Sequence, residues 1–429
     1  MRTGSARPVV IDLFAGAGGL SVGLEQAGFD VLAAVEYDPI HALVHSFNFP
    51  DCVTLCRDVR ALSGRDLTAA VNSKVKAMGS ALIGNGIDVI AGGPSCQGFS
   101  GGGQRDPFDE RNDLLTEFTR LVVEVRPRAF ILENVPGLLE PRFADFRAAH
   151  WKKFRNAGYS LSGTERWVDA TTFGVPQTRK RVVVVGILDG PAIEIEPPEG
   201  ARLTTVGEAF DGLPLIEAYD ELLNSDLVPM SRTDVARMGR VRSSYAKQLS
   251  GVNASGSFLE RPRAWDEKIL SNSLRTVHSA ETIRRFESTG QGRVESVSRL
   301  YRLAIDQPSR TLRAGTGSER GAHTAPRPIH PEIPRVITVR EAARLHGYPD
   351  WFRFAATNWH GHRQVGNSVP PPLARGVGTA VMKALGARPR KPTAPRALGD
   401  PSWLRTKPQD AATLLGALDS ELPRRRWPH

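Results

Sequence analysis

The feature that most constrains this chain is an alternation in its first 195 residues between short Val/Ile/Leu runs and helical patterns. "PVVIDLF" (8–14), "VLAAVEYD" (31–38), "IDVIAGG" (87–93), "AFILENV" (129–135) and "RVVVVGIL" (181–188) read as strands. "GLSVGLEQAG" (19–28) and "PIHALVHSFNF" (39–49) read as helices; the first ends at Gly28 and the second opens with Pro39 in its first turn. Strands with so little polar alternation are covered on both faces, and the intervening helices supply the cover. The expected class is α/β with a parallel sheet.

After "EIEPPEG" (194–200) the alternation stops. Residues 201–330 carry scattered Arg, Ser and Gly, as an irregular second domain would. Order returns at "ITVREAARLHGYPD" (337–350) and at "PPPLARGVGTAVMKALG" (370–386), which reads as a helix from proline to glycine. The 429 residues therefore divide into a sheet domain (1–200 and 350–386), a second domain (201–349) and a Pro/Arg-rich extension (387–429). The extension is expected to be flexible or loosely docked, with one short helix at 413–422.

The net charge is +10, and 46 of the 56 basic residues are arginine, which forms bidentate contacts with phosphate and guanine edges. That balance favours a polyanionic partner. No apolar run reaches the roughly 20 residues a bilayer requires, and the N-terminus has no signal-like core, so no membrane partner is expected. Three cysteines make no disulfide framework and suit a reducing, cytoplasmic setting. Cys52 and Cys56 lack the further ligands a metal site needs, so no metal is expected.

"DLFAGAGGLSVGLEQAGF" (12–29) is a strand, a glycine-rich turn and a helix. Gly16, Gly18 and Gly19 allow close backbone approach, and the helix N-terminus favours negative charge. Glu36, twenty residues after Gly16, is placed to bond a ribose diol. The spacing is not G-x-G-x-x-G, and the turn alone also reads as an ordinary tight turn. Asp58, near the end of a third strand, is a candidate acceptor for an adenine amine.

Six motifs occur in order: "DLFAGAGG", "GGPSCQGFS" (92–100), "ENVPGL" (133–138), "FGVPQTRKR" (173–181), "TVREAARLHGYPD" (338–350) and "RQVGNSVPP" (363–371). The series resembles the DNA (cytosine-5)-methyltransferases over residues 8–195 and 335–386. That resemblance implies a Rossmann-like, S-adenosylmethionine-dependent sheet with a smaller, irregular target-recognition domain. It implies Cys96 as the nucleophile at cytosine C6, covalent catalysis that turns C5 into a nucleophile. Glu133 then carries or shares the proton at N3, as a general acid whose pKa a buried, partner-poor setting would raise. Arg179 is assigned to the cytosine O2 region, and Arg181 to a structural or phosphate-binding role. Phe14, Gly16, Gly18, Gly19, Leu20, Glu36, Asp58 and Pro94 are implied around the cofactor, with Asn367 and Ser368 returning from the far end of the chain to close the pocket. One departure is Ser95, where the family usually has a proline before the cysteine.

A stacked base must be flipped before such chemistry. "SGGGQRDPFDERND" (100–113) suits a closing loop, with Gln104 and Arg105 entering the vacated stack. Specificity is expected in 201–330, and Thr311 and Leu312 resemble the family's element near the flipped base. The leading expectation is a monomeric enzyme that methylates double-stranded DNA and protects it from a cognate restriction endonuclease. The alternatives are the tRNA-methylating branch of the family and a non-catalytic DNA-binding module.

Overall fold

In a computed structural model, residues 7–77, 86–94, 113–251, 258–315 and 327–417 are described. Ser95, Cys96, Gln104 and Arg105 lie outside the described residues. The first half of the chain runs β1 (Val9–Leu13), α1 (Gly19–Ala27), β2 (Asp30–Glu36), α2 (Pro39–Asn48), β3 (Val53–Cys56), α3 (Gly64–Ala77), β4 (Val89–Gly92), α4 (Asp113–Val125), β5 (Ala129–Asn134), α5 (Ala144–Asn156), β6 (Tyr159–Ser162), β7 (Trp167–Asp169) and β8 (Lys180–Leu188). These strands form one sheet in the order β3-β2-β1-β4-β5-β8-β6, with β7 beside β8.

β1 to β5 are parallel, as their βαβ connections require. β8 is not: it runs antiparallel to β5, β6 and β7. The sequence reading placed "RVVVVGIL" in a parallel series and passed over β6 and β7. Buried apolar runs look alike in either orientation, and here short strands rather than a helix precede β8, which lets the chain reverse.

The strands bury both faces. Val10, Ala34, Val89, Ile131 and Val185 share a core with α1 and the later helices. Ile11, Leu32, Ile90, Phe130 and Val184 share the other with α3, α4 and α5. Burial of this kind contributes about 1.5–3 kcal/mol per large side chain and dominates the stability of the sheet.

The middle of the chain has short elements: α6 (Val206–Phe210), β9 (Leu227–Pro229), α7 (Arg232–Met238), α8 (Ser244–Ser250), β10 (Arg263–Ala264), β11 (Ile269–Ser271) and α9 (Ala280–Ser288). Small clusters such as Ile216, Leu222, Val228 and Leu270, or Phe286, Ile329 and Val336, hold it together. α10 (Val339–His346) starts with a capping box in which the Thr338 hydroxyl accepts the Glu341 N–H. All eight of its residues are buried, several of them in the core that also holds α1. α11 (Asn358–Asn367) and α12 (Pro371–Ala384) follow, and α12 packs along α1.

The C-terminal extension is docked through residue 417. β12 (Arg396–Ala397) pairs with β10, and α13 (Pro408–Leu414) packs on α2. Leu404 and Ala411 are buried in the main core and Ala412 is buried beside them in the chain, which the proline- and arginine-rich composition obscured. The helix starts earlier than the expected 413, because Pro408 stands in its first turn. Among the described residues no helix is long and apolar enough to cross a membrane.

Candidate active site

β1 lies between β2 and β4, so the strand order reverses there, and in open α/β sheets the carboxyl ends of strands at such a point form the ligand crevice. The loop after β1 begins at Phe14, which has a φ of 59°. A bulky side chain in the left-handed region is strained, and such strain gathers at ligand sites. Gly16 also has a positive φ, and a Cβ built there meets nothing within 4 Å. The other two glycines are packed: a Cβ at Gly18 comes within 2.4 Å of the Phe49 ring, and one at Gly19 within 2.4 Å of the Val369 carbonyl oxygen. Of the three, Gly16 alone opens onto space. Leu20 is buried in the core, so what it offers the crevice is its backbone in the first turn of α1.

Glu36 ends β2, and one carboxylate oxygen accepts from Gly16 N (2.8 Å), the other from Asp38 N (2.7 Å). Burial pushes its pKa up, while the charge of His41 and the two N–H bonds oppose that. Asp58 stands two residues past the end of β3, along the same sheet edge, and caps a short turn by accepting from Arg60 N (2.9 Å). The Arg60 guanidinium lies 3.2 Å from it. Pro94 follows β4, and its carbonyl accepts from Asn134 Nδ2 (3.3 Å), tying that loop to the end of β5.

Glu133 is nearly buried at the end of β5, 2.7 Å from Arg181 Nε. The antiparallel register pairs Glu133 with Val183, which puts Arg181 on the same sheet face as the carboxylate. A Cβ at Gly93 would come 2.9 Å from Glu133 Oε2, so glycine there lets the carboxylate lie against the loop that leads on to Ser95. Glu133 is thus not the partner-poor carboxyl the sequence suggested.

Arg179 is elsewhere. Its buried guanidinium donates to the carbonyls of Leu312 (2.9 Å), Gly366 (2.9 Å) and Ser368 (3.0 Å). The geometry therefore exchanges the two arginines: Arg181 faces Glu133, and Arg179 ties its own strand end to two distant backbone segments. Thr311 Oγ1 donates to Thr178 O (2.6 Å), and Leu312 N donates to Gln177 Oε1 (3.0 Å), so 309–312 lies alongside 176–179. Asn367 is exposed at the end of α11, whereas the Ser368 hydroxyl is turned to Val365 O (2.8 Å).

Two features escaped the sequence reading. His346 is fully buried, 3.0 Å from both Gln177 Nε2 and Ser368 O, and burial followed by the nearby Arg179 charge holds its pKa well below the usual range. Asp12 is buried behind the glycine-rich loop and accepts from Ser21 Oγ (2.6 Å). Ser21 in turn meets His45 Nε2 (3.0 Å), whose Nδ1 meets Thr54 Oγ1 (3.0 Å). Asp12 Oδ1 has no partner among the described residues, and burial pushes the pKa of Asp12 up to about 7. The one sequence signal was an aspartate inside the apolar run "VVIDLF". Among the described residues no cluster of His, Cys, Asp and Glu could hold a metal ion.

A sequence model of the family described as C-5 cytosine-specific DNA methylase matches residues 9–383. The chain is 45% identical over 422 residues to Type II methyltransferase M.XorII of Xanthomonas oryzae pv. oryzae, covering 98% of this chain and 96% of the relative. It is 32% identical to Type II methyltransferase M1.HphI of Haemophilus parahaemolyticus, covering 87% and 86%. A crystal structure of a prophage-encoded DNA modification methyltransferase (E. coli) superposes with a TM-score of 0.70 at 32% identity, covering 88% of this chain and 99% of that one. The S. pombe Dnmt2 structure shares the fold, with a TM-score of 0.52 at 16% identity and the same coverage.

Proposed function

The chain belongs to the C-5 cytosine-specific DNA methylase family and is a DNA (cytosine-5) methyltransferase of the type II kind, and from that premise we propose how its residues carry the reaction. The observation that carries the reading is the Glu133–Arg181 pair, set against Gly93 in the loop that runs on to Cys96. Cys96, as thiolate, adds to C6 of a cytosine swung out of the duplex. Glu133 holds the proton at N3, which lets the ring accept the electron pair. Arg181 fixes the Glu133 carboxylate and presents its remaining N–H groups toward the pyrimidine oxygen. The enamine carbon C5 then takes the methyl group. Loss of the C5 proton to solvent and expulsion of the Cys96 thiolate restore the ring.

S-adenosylmethionine fits the crevice. The open face of Gly16 leaves room for it, Phe14 begins the loop that carries Gly16, and Glu36 and Asp58 offer acceptors to a ribose diol and an amine. When bound, it supplies an electrophilic methyl group. Asn367 and Pro94 are assigned to the same ligand, while Gly18 and Gly19, packed on Phe49 and Val369, and Ser368, whose hydroxyl is turned to Val365 O, are assigned to support behind it.

Residues 201–330 carry recognition of the DNA sequence, and the sheet with α10 to α12 carries the chemistry. Gln104 and Arg105 fill the gap left by the flipped base, and Thr311 and Leu312 border its pocket. The enzyme acts as a monomer. The type II names of the relatives support a cognate endonuclease acting on the same site.

The test is transfer of labelled methyl groups to duplex DNA, followed by bisulfite sequencing. Label at cytosines in one fixed sequence, lost in Cys96→Ser while DNA binding persists, is expected. Label on tRNA alone, or turnover by Cys96→Ser, overturns the reading.

A further inference from the structure

Residues 289–302 form a rigid hairpin that the catalytic argument does not use. Gly292 N donates to Arg302 O (2.9 Å), Arg302 N to Arg293 O (2.8 Å) and Glu295 N to Leu300 O (2.8 Å), and Val294 bridges Tyr301. Its base is anchored by the Arg302 side chain, which donates to the carbonyls of Phe286 (2.7 Å), Thr289 (2.8 Å) and Pro331 (3.1 Å).

Its tip is held from within. The buried Glu295 carboxylate accepts from Val297 N (3.0 Å), Ser298 N and the Ser298 hydroxyl, and Arg285 Nε lies 3.4 Å away. Burial opposes ionisation of Glu295, but these hydrogen bonds and the Arg285 charge outweigh it and hold its pKa near 2. Arg299 sits in the left-handed region, with a φ of 60°. A strained arginine persists only where its surroundings over-determine it, and the Glu295 bonds do so here. The result is a tip on which Val297, 61% exposed, and Arg299 are both open to solvent. Neither Arg299 nor Arg293 has a side-chain partner among the described residues.

The hairpin also touches the segment that runs beside Thr178. The Arg310 guanidinium lies 3.9 Å from the Tyr301 ring centroid, and the next residue, Thr311, bonds Thr178 O, three residues before Arg181.

We propose that this hairpin is a base-reading element, in which Arg299 takes the O6/N7 edge of a guanine in duplex DNA and Val297 packs on the neighbouring base edge. A planar fork on a fixed backbone, with an exposed apolar residue two positions away, is what direct readout requires. The inference rests on the duplex-DNA reading above, and its test separates the two.

Bisulfite sequencing with the wild-type chain first defines the methylated sequence; no fixed sequence there is a failure of the DNA reading, not of Arg299. Rates are then measured for wild type, Arg299→Ala and Arg299→Lys on duplexes in which each position of that sequence is exchanged in turn. Both variants are expected to lose about 5- to 150-fold on the cognate duplex and to stop discriminating at one G·C position only. Circular dichroism and melting unchanged from wild type confirm that the fold is kept. An Arg299→Lys that behaves as wild type, with Arg299→Ala weakening all sequences equally and flattening the salt dependence, makes Arg299 a phosphate contact and overturns the proposal. Unchanged discrimination in both variants overturns it as well.

Discussion

Arg181 Nε lies 2.7 Å from the Glu133 carboxylate, whereas Arg179, on the same "QTRKR" segment, spends its guanidinium on the carbonyls of Leu312, Gly366 and Ser368. Two arginines two positions apart thus have different work. Arg181→Ala should lower kcat/KM by about 10²- to 10³-fold, with a smaller loss of stability than Arg179→Ala. Arg179→Ala leaves three backbone acceptors without their donor and should cost on the order of 3 kcal/mol or more in urea unfolding. Equal stability losses in the two variants would count against this division.

The glycines of the first loop should separate in the same way. Gly19→Ala drives a methyl group into the Val369 carbonyl, with a cost of about 1–3 kcal/mol in stability. Gly16→Ala meets no neighbour and carries only the strain of a left-handed alanine, about 1–2 kcal/mol. Calorimetric titration should show the larger loss of S-adenosylmethionine affinity in a Gly16→Ala chain that still melts cooperatively. Tight binding retained by that variant would remove Gly16 from the ligand surface.

Asp12 makes stability depend on pH in a stated direction. Its pKa rises from 3.8 to about 7 on folding, mainly through burial, so the folded chain holds the proton that the unfolded chain releases. Its contribution is full below about pH 4 and is lost as the pH climbs through about 7. Asp12→Asn should therefore gain stability relative to wild type between pH 5 and pH 8. Parallel urea midpoints for the two chains across that range would exclude a buried, proton-holding Asp12.

Affinity for duplex DNA should fall steeply with salt. For six to ten phosphate contacts the loss between 50 and 200 mM is about 10³- to 10⁵-fold. Fluorescence anisotropy measures it directly, and a flat response would argue against an arginine-lined DNA surface.

Much of this was legible in the chain. The strands β1, β2, β4 and β5 follow from Val/Ile/Leu runs, and α10 and α12 from Thr338 and the prolines at 370–372, because these signals are local. Glu36 and Glu133 were legible too, since each ends a buried strand with a carboxylate. The docked tail was not: Leu404, Ala411 and Ala412 are ordinary apolar residues in a basic, proline-rich stretch, and nothing local marks α2 as their partner.

What the sequence determined by itself was the order of the elements, the motif series and the chemical types available at each strand end. What only the tertiary structure decided was which groups meet. The antiparallel turn of β8 brings Arg181, not Arg179, to Glu133, and the return of residues 366–369 closes against Gly19. The physical reason is reach: strand and cap signals act over a few residues, whereas the direction of a strand and the partner of a guanidinium depend on packing between segments far apart in the chain.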